Sequence, residues 1–146
     1  MKKLFLVIAL LLSFNFFSFS QTNSDYVIDF TNPESVVNAI FYAAQSHDFA
    51  ILQGLCDPFG KGDGDTERIC LISDVADGTF EGDYDPEQIL IEFVDIFENC
   101  YIHGNVTYES RYGSQKASVP FSFGPGRGEE TMNLVNRYGN WYLSSF

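Results

Sequence analysis

The sequence predicts an α+β fold in which three N-terminal helices pack on a four-stranded antiparallel sheet. Two observations lead to this prediction. Up to about residue 100, apolar residues recur at helical spacing behind helix-start signals, whereas beyond that point they alternate with polar residues as strands require. Because the helices precede the strands instead of alternating with them, they are expected to lie together on one face of the sheet.

The first 20 residues have the features of a secretory signal peptide. Two lysines precede an apolar run over residues 4–12 that is too short to cross a bilayer comfortably, and Ser18-Phe19-Ser20 supplies small residues for cleavage. An uncleaved anchor helix is the alternative, since residues 14–19 prolong the apolar run. We expect cleavage, a secreted or periplasmic protein, an arm over residues 21–30 and one domain over residues 31–146.

The mature chain is strongly acidic. The full sequence has a net charge of −12, and loss of Lys2 and Lys3 with the signal peptide makes it −14, because 6 basic and 20 acidic side chains remain. A field of this sign repels nucleic-acid phosphates and anionic lipid headgroups. We therefore expect no nucleic-acid partner and no membrane association after cleavage.

Three cysteines, Cys56, Cys70 and Cys100, remain after export to a compartment where thiols tend to pair. We predict a disulfide between Cys56 and Cys70, because these residues flank a Gly- and Asp-rich loop that has few apolar residues to order it. Cys100 is then left over, either buried at the end of a helix or paired with another molecule. The two other pairings stay open on sequence alone.

The first helix begins at Thr31-Asn32-Pro33-Glu34, which has the form of a capping box with Thr31 as the expected N-cap. An apolar stripe follows at helical spacing, formed by Val36, Val37, Ile40, Phe41 and Ala44. A second, short helix is expected after Asp48 and ends at Pro58. Residues 57–87 are rich in glycine and acidic residues, so we expect a loop region in which only residues 69–75 have a helix-like pattern.

The third helix begins at Asp85-Pro86-Glu87-Gln88, where Asp85 is the expected cap. Its apolar face is unusually wide and consists of Ile89, Leu90, Ile91, Phe93, Val94, Ile96 and Phe97. We therefore expect this helix, which ends near Asn99, to be the central helix and to be covered on more than one side.

Strand-like alternation runs over residues 101–109 and, after a turn, over residues 116–123. Pro120 cannot donate a backbone hydrogen bond, so its strand is expected to lie at an edge or to be bulged there. A Gly-rich turn at residues 124–128 leads into the end of the chain.

The chain closes on a predicted hairpin over residues 129–146, whose two strands flank Tyr138-Gly139-Asn140. We expect Trp141 or its neighbour Tyr142 to face the helical layer. The hairpin is then expected to form a wall of any pocket that the fold contains.

Several short motifs together resemble small exported bacterial proteins of the nuclear-transport-factor-2-like superfamily, also called the SnoaL-like or cystatin-like cone. The resemblance covers residues 31–146 and rests on Pro33-Glu34-Ser35-Val36-Val37, Phe41-Tyr42-Ala43-Ala44, Asp48-Phe49-Ala50-Ile51-Leu52, Leu134-Val135 and Gly139-Asn140-Trp141-Tyr142-Leu143. It implies a strongly curved, cone-like sheet that wraps a long helix and leaves a pocket at its wide end. Members include isomerases, hydrolases, dehydratases and many proteins that only bind ligands or partners, often as dimers.

The leading functional hypothesis is a non-enzymatic domain that binds a small apolar or aromatic ligand or a protein partner, with a homodimer as one possible assembly. The alternative is a pocket enzyme of the isomerase or hydratase type, which needs a carboxylate base and a hydrogen-bond donor to an oxyanion. Candidates for these roles are Asp95, His103, Tyr108 (or its neighbour Glu109) and Tyr42. Each also fits an ordinary structural role.

A second alternative is a calcium-stabilised interaction module. Asp63, Asp65 and Glu67 occupy alternate positions, as at the start of a calcium loop, and Asp74 falls at the twelfth position. The glycine that such a loop requires at its sixth position is replaced by Arg68, so a solvated acidic turn is the competing interpretation. No other cofactor is expected.

Overall fold

The chain folds as an α+β domain in which helices precede a curled antiparallel sheet, as the sequence predicts. The computed structural model describes residues 26–60, 64–111 and 113–145. Its helices are α1 (Pro33–Ser46), α2 (Gly64–Asp77) and α3 (Pro86–Phe97), with a short 3₁₀ helix at Phe49–Leu52. Its strands are β1 (Tyr101–Ile102), β2 (Thr107–Arg111), β3 (Ser114–Ser122), β4 (Glu129–Arg137) and β5 (Asn140–Ser145).

The central helix is α1, and the expectation that the helix after Asp85 would be central is wrong. Eight residues of α1 are buried, whereas α3 buries only Phe93 and Phe97 and leaves Ile91 and Ile96 exposed. The wide apolar pattern of α3 was misleading because periodicity shows which residues of a helix are apolar, not which neighbours cover them. Phe41 of α1 packs its ring 5.6 Å from that of Phe121 on the sheet.

The cap of α1 is Asn32 instead of the expected Thr31. The Asn32 side chain accepts a hydrogen bond from the Glu34 backbone N–H at 3.0 Å. The Thr31 hydroxyl instead donates to Asp29 Oδ1 at 2.6 Å and does not cap the helix. The cap therefore moves one residue along the chain, and Pro33 becomes the first helical residue.

The segment expected to be mostly loop contains α2, which is 14 residues long. Its apolar residues Ile69, Ile72 and Val75 are buried. The Cys56–Cys70 disulfide is present, with the two Cα atoms 6.0 Å apart, and ties this helix to the segment that follows the 3₁₀ helix. The predicted pairing is thus confirmed.

The sheet is centred on β3, which pairs with β4 on one side and with both β1 and β2 on the other. The predicted strand over residues 101–109 is interrupted at residues 103–106, opposite Pro120. The carbonyl of Pro120 accepts a hydrogen bond from His103 N at 3.0 Å, so it points towards the segment between β1 and β2. In an antiparallel strand, the N–H and the carbonyl of one residue point to the same neighbouring strand. The missing N–H of Pro120 therefore faces the interruption. The irregularity expected at Pro120 lies in the neighbouring strand, whereas β3 itself is continuous and central instead of lying at an edge.

The outer edge of β5 is covered by two segments from the first half of the chain. Trp141 N donates to Phe30 O at 2.7 Å, and Leu143 exchanges backbone hydrogen bonds with Leu55 and Asp57 at 2.8 and 2.9 Å. These contacts hide the backbone groups of an edge strand that would otherwise be open to pairing. They also bring the chain around Asp57 to one end of the closing hairpin.

The core lies between α1 and the inner face of the sheet, which presents Ala117, Val119, Phe121, Met132, Leu134 and Leu143. Trp141 belongs to the same core and is 6% exposed, which confirms that it faces the helical layer. Its ring lies 5.8 Å from the ring of Tyr108, which is on β2 at the other edge of the curled sheet. Within the described ranges, no helix combines the length and the hydropathy needed to cross a bilayer.

Candidate functional site

An open cleft of about 500 Å³ lies at the end of the sheet where the closing hairpin turns. Its walls are Phe59, the turn at Gly113 and Gln115, and residues 136–139 of the hairpin. Three segments that are far apart in sequence therefore meet there. We call this site the hairpin cleft. The hairpin forms one of its walls, although the cleft lies at the turn and not between the sheet and the helical layer, where the sequence places a pocket.

Tyr138 stands at the rim of the cleft in an unfavourable backbone conformation. It occupies the first central position of the two-residue turn between Arg137 and Asn140, with φ of 56°, and Gly139 follows with φ of 94°. Such turns need positive φ at both positions and favour Asn-Gly, because a tyrosine Cβ crowds the following carbonyl. The Asn136 side chain stabilises the turn by accepting from Gly139 N at 2.9 Å. The turn thus holds an aromatic side chain that is 94% exposed.

Phe59 is the second exposed aromatic residue of the cleft. Its side chain is 69% exposed, and its ring lies 6.4 Å from that of Tyr138 with the planes at 74°. An edge-to-face contact of this kind leaves ring surface of both residues open to a third molecule. The two rings therefore form an exposed aromatic corner.

A partly buried ion pair fixes the position of the Phe59 loop. Arg137 Nη2 and Nε donate to the two carboxylate oxygens of Asp57 at 2.6 and 3.1 Å. The Asp57 side chain is only 5% exposed and also accepts from Phe59 N at 3.1 Å. These hydrogen bonds lower the pKa of Asp57, with that from Arg137 contributing most. The bidentate pair locks the loop to β4 and places Arg137 in the cleft wall.

The side chains of the cleft wall suit binding more than proton transfer. Among the described residues that line it, the titratable ones are Arg137 and Tyr138, and the hydrogen bonds to Asp57 raise the pKa of Arg137 further. A general base that works near neutral pH is normally a histidine or a carboxylate with a raised pKa. Arg137, Asn136 and Gln115 instead offer hydrogen-bond donors to a ligand.

The candidate catalytic residues lie outside the hairpin cleft and contact different partners. The Tyr42 ring stacks on Tyr26 at 4.2 Å, and burial together with the Tyr42 hydroxyl raises the pKa of Tyr26. Tyr108 packs on Trp141.

Asp95 and His103 also lie elsewhere. The Asp95 main-chain oxygen accepts from Arg127 Nη1 at 3.1 Å. His103 Nε2 lies 3.2 Å from Glu129 Oε1 on the surface. The structure thus brings none of the four candidates to the hairpin cleft, and their catalytic roles stay predictions. Glu109, the neighbour of Tyr108, lies on β2.

The calcium candidates lie at the start of α2. Asp65 and Glu67 fall within the first turn of that helix, whereas Asp63 lies outside the described residues. The part of the chain that the structure describes contains no group of three or more His, Cys, Asp or Glu residues that could hold a metal ion. Calcium binding stays a prediction.

Cys100 is buried just beyond the end of α3, as one of the two expectations for it states. Its thiol donates to Ile96 O at 3.2 Å. Burial raises its pKa to about 11, although Arg127 acts in the opposite direction. A thiol that stays protonated at neutral pH is a poor nucleophile, so Cys100 has a packing role.

Sequence reasoning missed both aromatic residues of the hairpin cleft. Tyr138 carried a usable signal, because a tyrosine before glycine in a two-residue turn occupies the position that asparagine fills best. Phe59 carried a weaker one, as a large apolar residue between Pro58 and Gly60 in a polar loop. Neither signal shows that the two rings meet.

Comparisons with known proteins found no match among family models, curated proteins or solved structures. The likeness to the nuclear-transport-factor-2-like superfamily therefore stays a prediction from sequence motifs.

Proposed function

We infer that this chain is an exported, non-enzymatic domain of the nuclear-transport-factor-2-like kind that binds a small organic ligand in the hairpin cleft. The observation that carries this proposal is Tyr138, an almost fully exposed aromatic residue held at positive φ opposite Phe59. Strained backbone positions of this kind concentrate at ligand clamps and functional sites. A large exposed ring gains free energy when a ligand covers it.

Binding is favoured over catalysis by the chemistry of the cleft wall. Its polar side chains include two amides and a guanidinium that is already paired with Asp57. Such groups orient a ligand through hydrogen bonds, but they do not exchange protons near neutral pH.

Export is supported by the signal-peptide features and by the Cys56–Cys70 disulfide, which is compatible with an oxidising compartment. We expect the protein recovered from the periplasm or the medium to have lost residues 1–20, which intact-mass measurement checks. A mature mass that retains those residues contradicts cleavage.

Self-association as a homodimer is a further expectation. In the described part of the chain, the outer edge of β2 has no neighbouring strand. A strand edge of this kind can pair with another chain. Native mass spectrometry of the mature protein distinguishes a monomer from a dimer.

Protein-observed NMR tests the binding function directly. A defined panel of neutral tetrasaccharides (cello-, xylo-, manno- and malto-) and of two aromatic probes, indole and 4-methylphenol, is titrated into the ¹⁵N-labelled mature protein. We expect at least one member to shift the backbone amides of Phe59, Gln115 and residues 136–139 together. If no member moves those amides, the hairpin cleft is not a ligand site.

A further inference from the structure

We propose that the hairpin cleft binds a neutral carbohydrate. This inference rests on the proposed function of the cleft as a ligand site and names the chemical class that fits it. A sugar ring combines an apolar face of C–H groups with a periphery of hydroxyls. The cleft offers aromatic rings to the apolar face and hydrogen-bond donors to the hydroxyls.

The apolar part of the cleft is the aromatic corner. Phe59 and Tyr138 expose 69% and 94% of their surface, and their edge-to-face arrangement keeps the rings from covering each other. The C–H face of a pyranose packs flat on such a ring and removes apolar surface from water on both sides. The turn and the ion pair restrain the backbone at Tyr138 and Phe59 before the ligand arrives, which limits the backbone entropy lost on binding.

The polar part consists of Gln115, Asn136 and Arg137. The Asn136 carbonyl oxygen is turned towards Gly139, which leaves its NH₂ group as a donor. Arg137 uses two of its five N–H groups on Asp57 and retains three. A purely apolar ligand would bury these donors without partners, which is unfavourable, whereas sugar hydroxyls accept from them.

Charge argues for a neutral ligand. The chain carries a net charge of −12 before signal cleavage, so it repels anionic ligands at long range. The positive charge of Arg137 is already balanced by Asp57 at 2.6 Å. Among the described residues that line the cleft, a cationic ligand meets no carboxylate either, and the nearby Asp57 oxygens accept from Arg137 and from Phe59 N.

The test measures affinity by calorimetry and maps contacts by NMR for the parent mature protein and three variants. Tyr138→Asn (Y138N) removes the ring and installs the residue that the turn favours, so it is expected to melt at the same temperature as the parent or higher. Phe59→Ala (F59A) removes the second ring. Tyr84→Asn (Y84N) is the matched control, because Tyr84 is 74% exposed and does not line the cleft.

We expect at least one of the neutral tetrasaccharides to bind the parent with shifts confined to the cleft amides. Y138N and F59A should each lower that affinity about tenfold or more, whereas Y84N should bind as the parent does. Retained affinity in Y138N, or equal loss in Y84N, overturns the carbohydrate assignment.

The two proposals fail in different ways. If the aromatic probes shift the cleft amides and the tetrasaccharides do not, the carbohydrate inference is wrong and the ligand-binding function stands. If neither class shifts them, both are wrong.

Discussion

The partly buried ion pair between Asp57 and Arg137 gives the sharpest stability prediction. Arg137→Met (R137M) keeps most of the apolar stem but removes both hydrogen bonds to a carboxylate that is 5% exposed. Breaking a fully buried pair from one side costs about 3–5 kcal/mol. Because Arg137 is 32% exposed and water reaches the pair from the cleft, we expect a smaller loss of about 2–3 kcal/mol.

Substitution of the other partner, Asp57, should lower the free energy of unfolding by less. Asp57→Asn (D57N) keeps an oxygen that can accept from Phe59 N and leaves the guanidinium on the side of the pair that touches water. We expect a loss of about 1 kcal/mol, close to the net value of one hydrogen bond. The asymmetry between the two variants follows from which partner is buried.

The pair also predicts how stability depends on pH. The pKa of Asp57 is lowered in the folded state, so its contribution is fully present above the ordinary carboxyl pKa of about 4 and is lost as pH falls below it. The parent should therefore lose its advantage over R137M in acid. The difference in the free energy of unfolding between parent and R137M should be large at pH 7 and shrink at pH 3.

Urea unfolding followed by the fluorescence of Trp141 measures these differences, because the chain has one tryptophan and it is 6% exposed. Arg127→Met (R127M) is the control, since Arg127 donates to a main-chain oxygen instead of a carboxylate, and its loss should cost less than about 1 kcal/mol. The reasoning is refuted if R137M is as stable as R127M, or if D57N is the less stable member of the pair.

Three further predictions concern the disulfide, the unpaired thiol and the end of the chain. Replacing Cys56 and Cys70 together by serine should lower the free energy of unfolding by up to about 3 kcal/mol, since the bridge spans 14 positions; unchanged urea unfolding would mean that packing alone orders this segment. Cys100 should resist iodoacetamide in the folded protein at pH 8 and react once per chain in urea, which intact-mass measurement checks. Fast labelling of the folded protein would contradict the burial of Cys100. Deleting residues 143–146 should unfold the domain, because Leu143 is fully buried and bonds to Leu55 and Asp57; a truncated chain with a parental circular dichroism melt would disprove this.

Local patterns in the sequence were sufficient for α1, α3 and the closing hairpin, but not for α2, which lies in a segment expected to be mostly loop. The Asp85 cap forms as expected, with its carboxylate accepting from Glu87 N at 3.1 Å, because the cap and its partner are only two residues apart. The paired strands of the closing hairpin and the two cysteines of the Cys56–Cys70 bridge are also close to each other in the sequence. Alternation after residue 100 was likewise enough to predict an antiparallel sheet. Pro120 predicted an irregularity, although not that the break would fall in the neighbouring strand.

The choice of central helix depended on tertiary packing. The apolar face of α3 is wider than the face it buries, whereas α1 buries eight residues, among them the small Ala39, Ala43 and Ala44. Helical periodicity contains no information about which helix lies nearest the sheet, because every amphipathic helix shows the same repeat.

The hairpin cleft also depended on the tertiary structure. By itself, the sequence determined that the chain turns around Tyr138 and Gly139 and that the loop around Phe59 is polar, and it favoured the Cys56–Cys70 disulfide without excluding the other two pairings. Only the folded chain brings Asp57 against Arg137, 80 residues away, and so sets Phe59 opposite Tyr138. The physical reason is the range of the interactions: turns and caps are decided by neighbours in the chain, whereas a cleft between distant loops exists only after the sheet has formed and its edge has been covered.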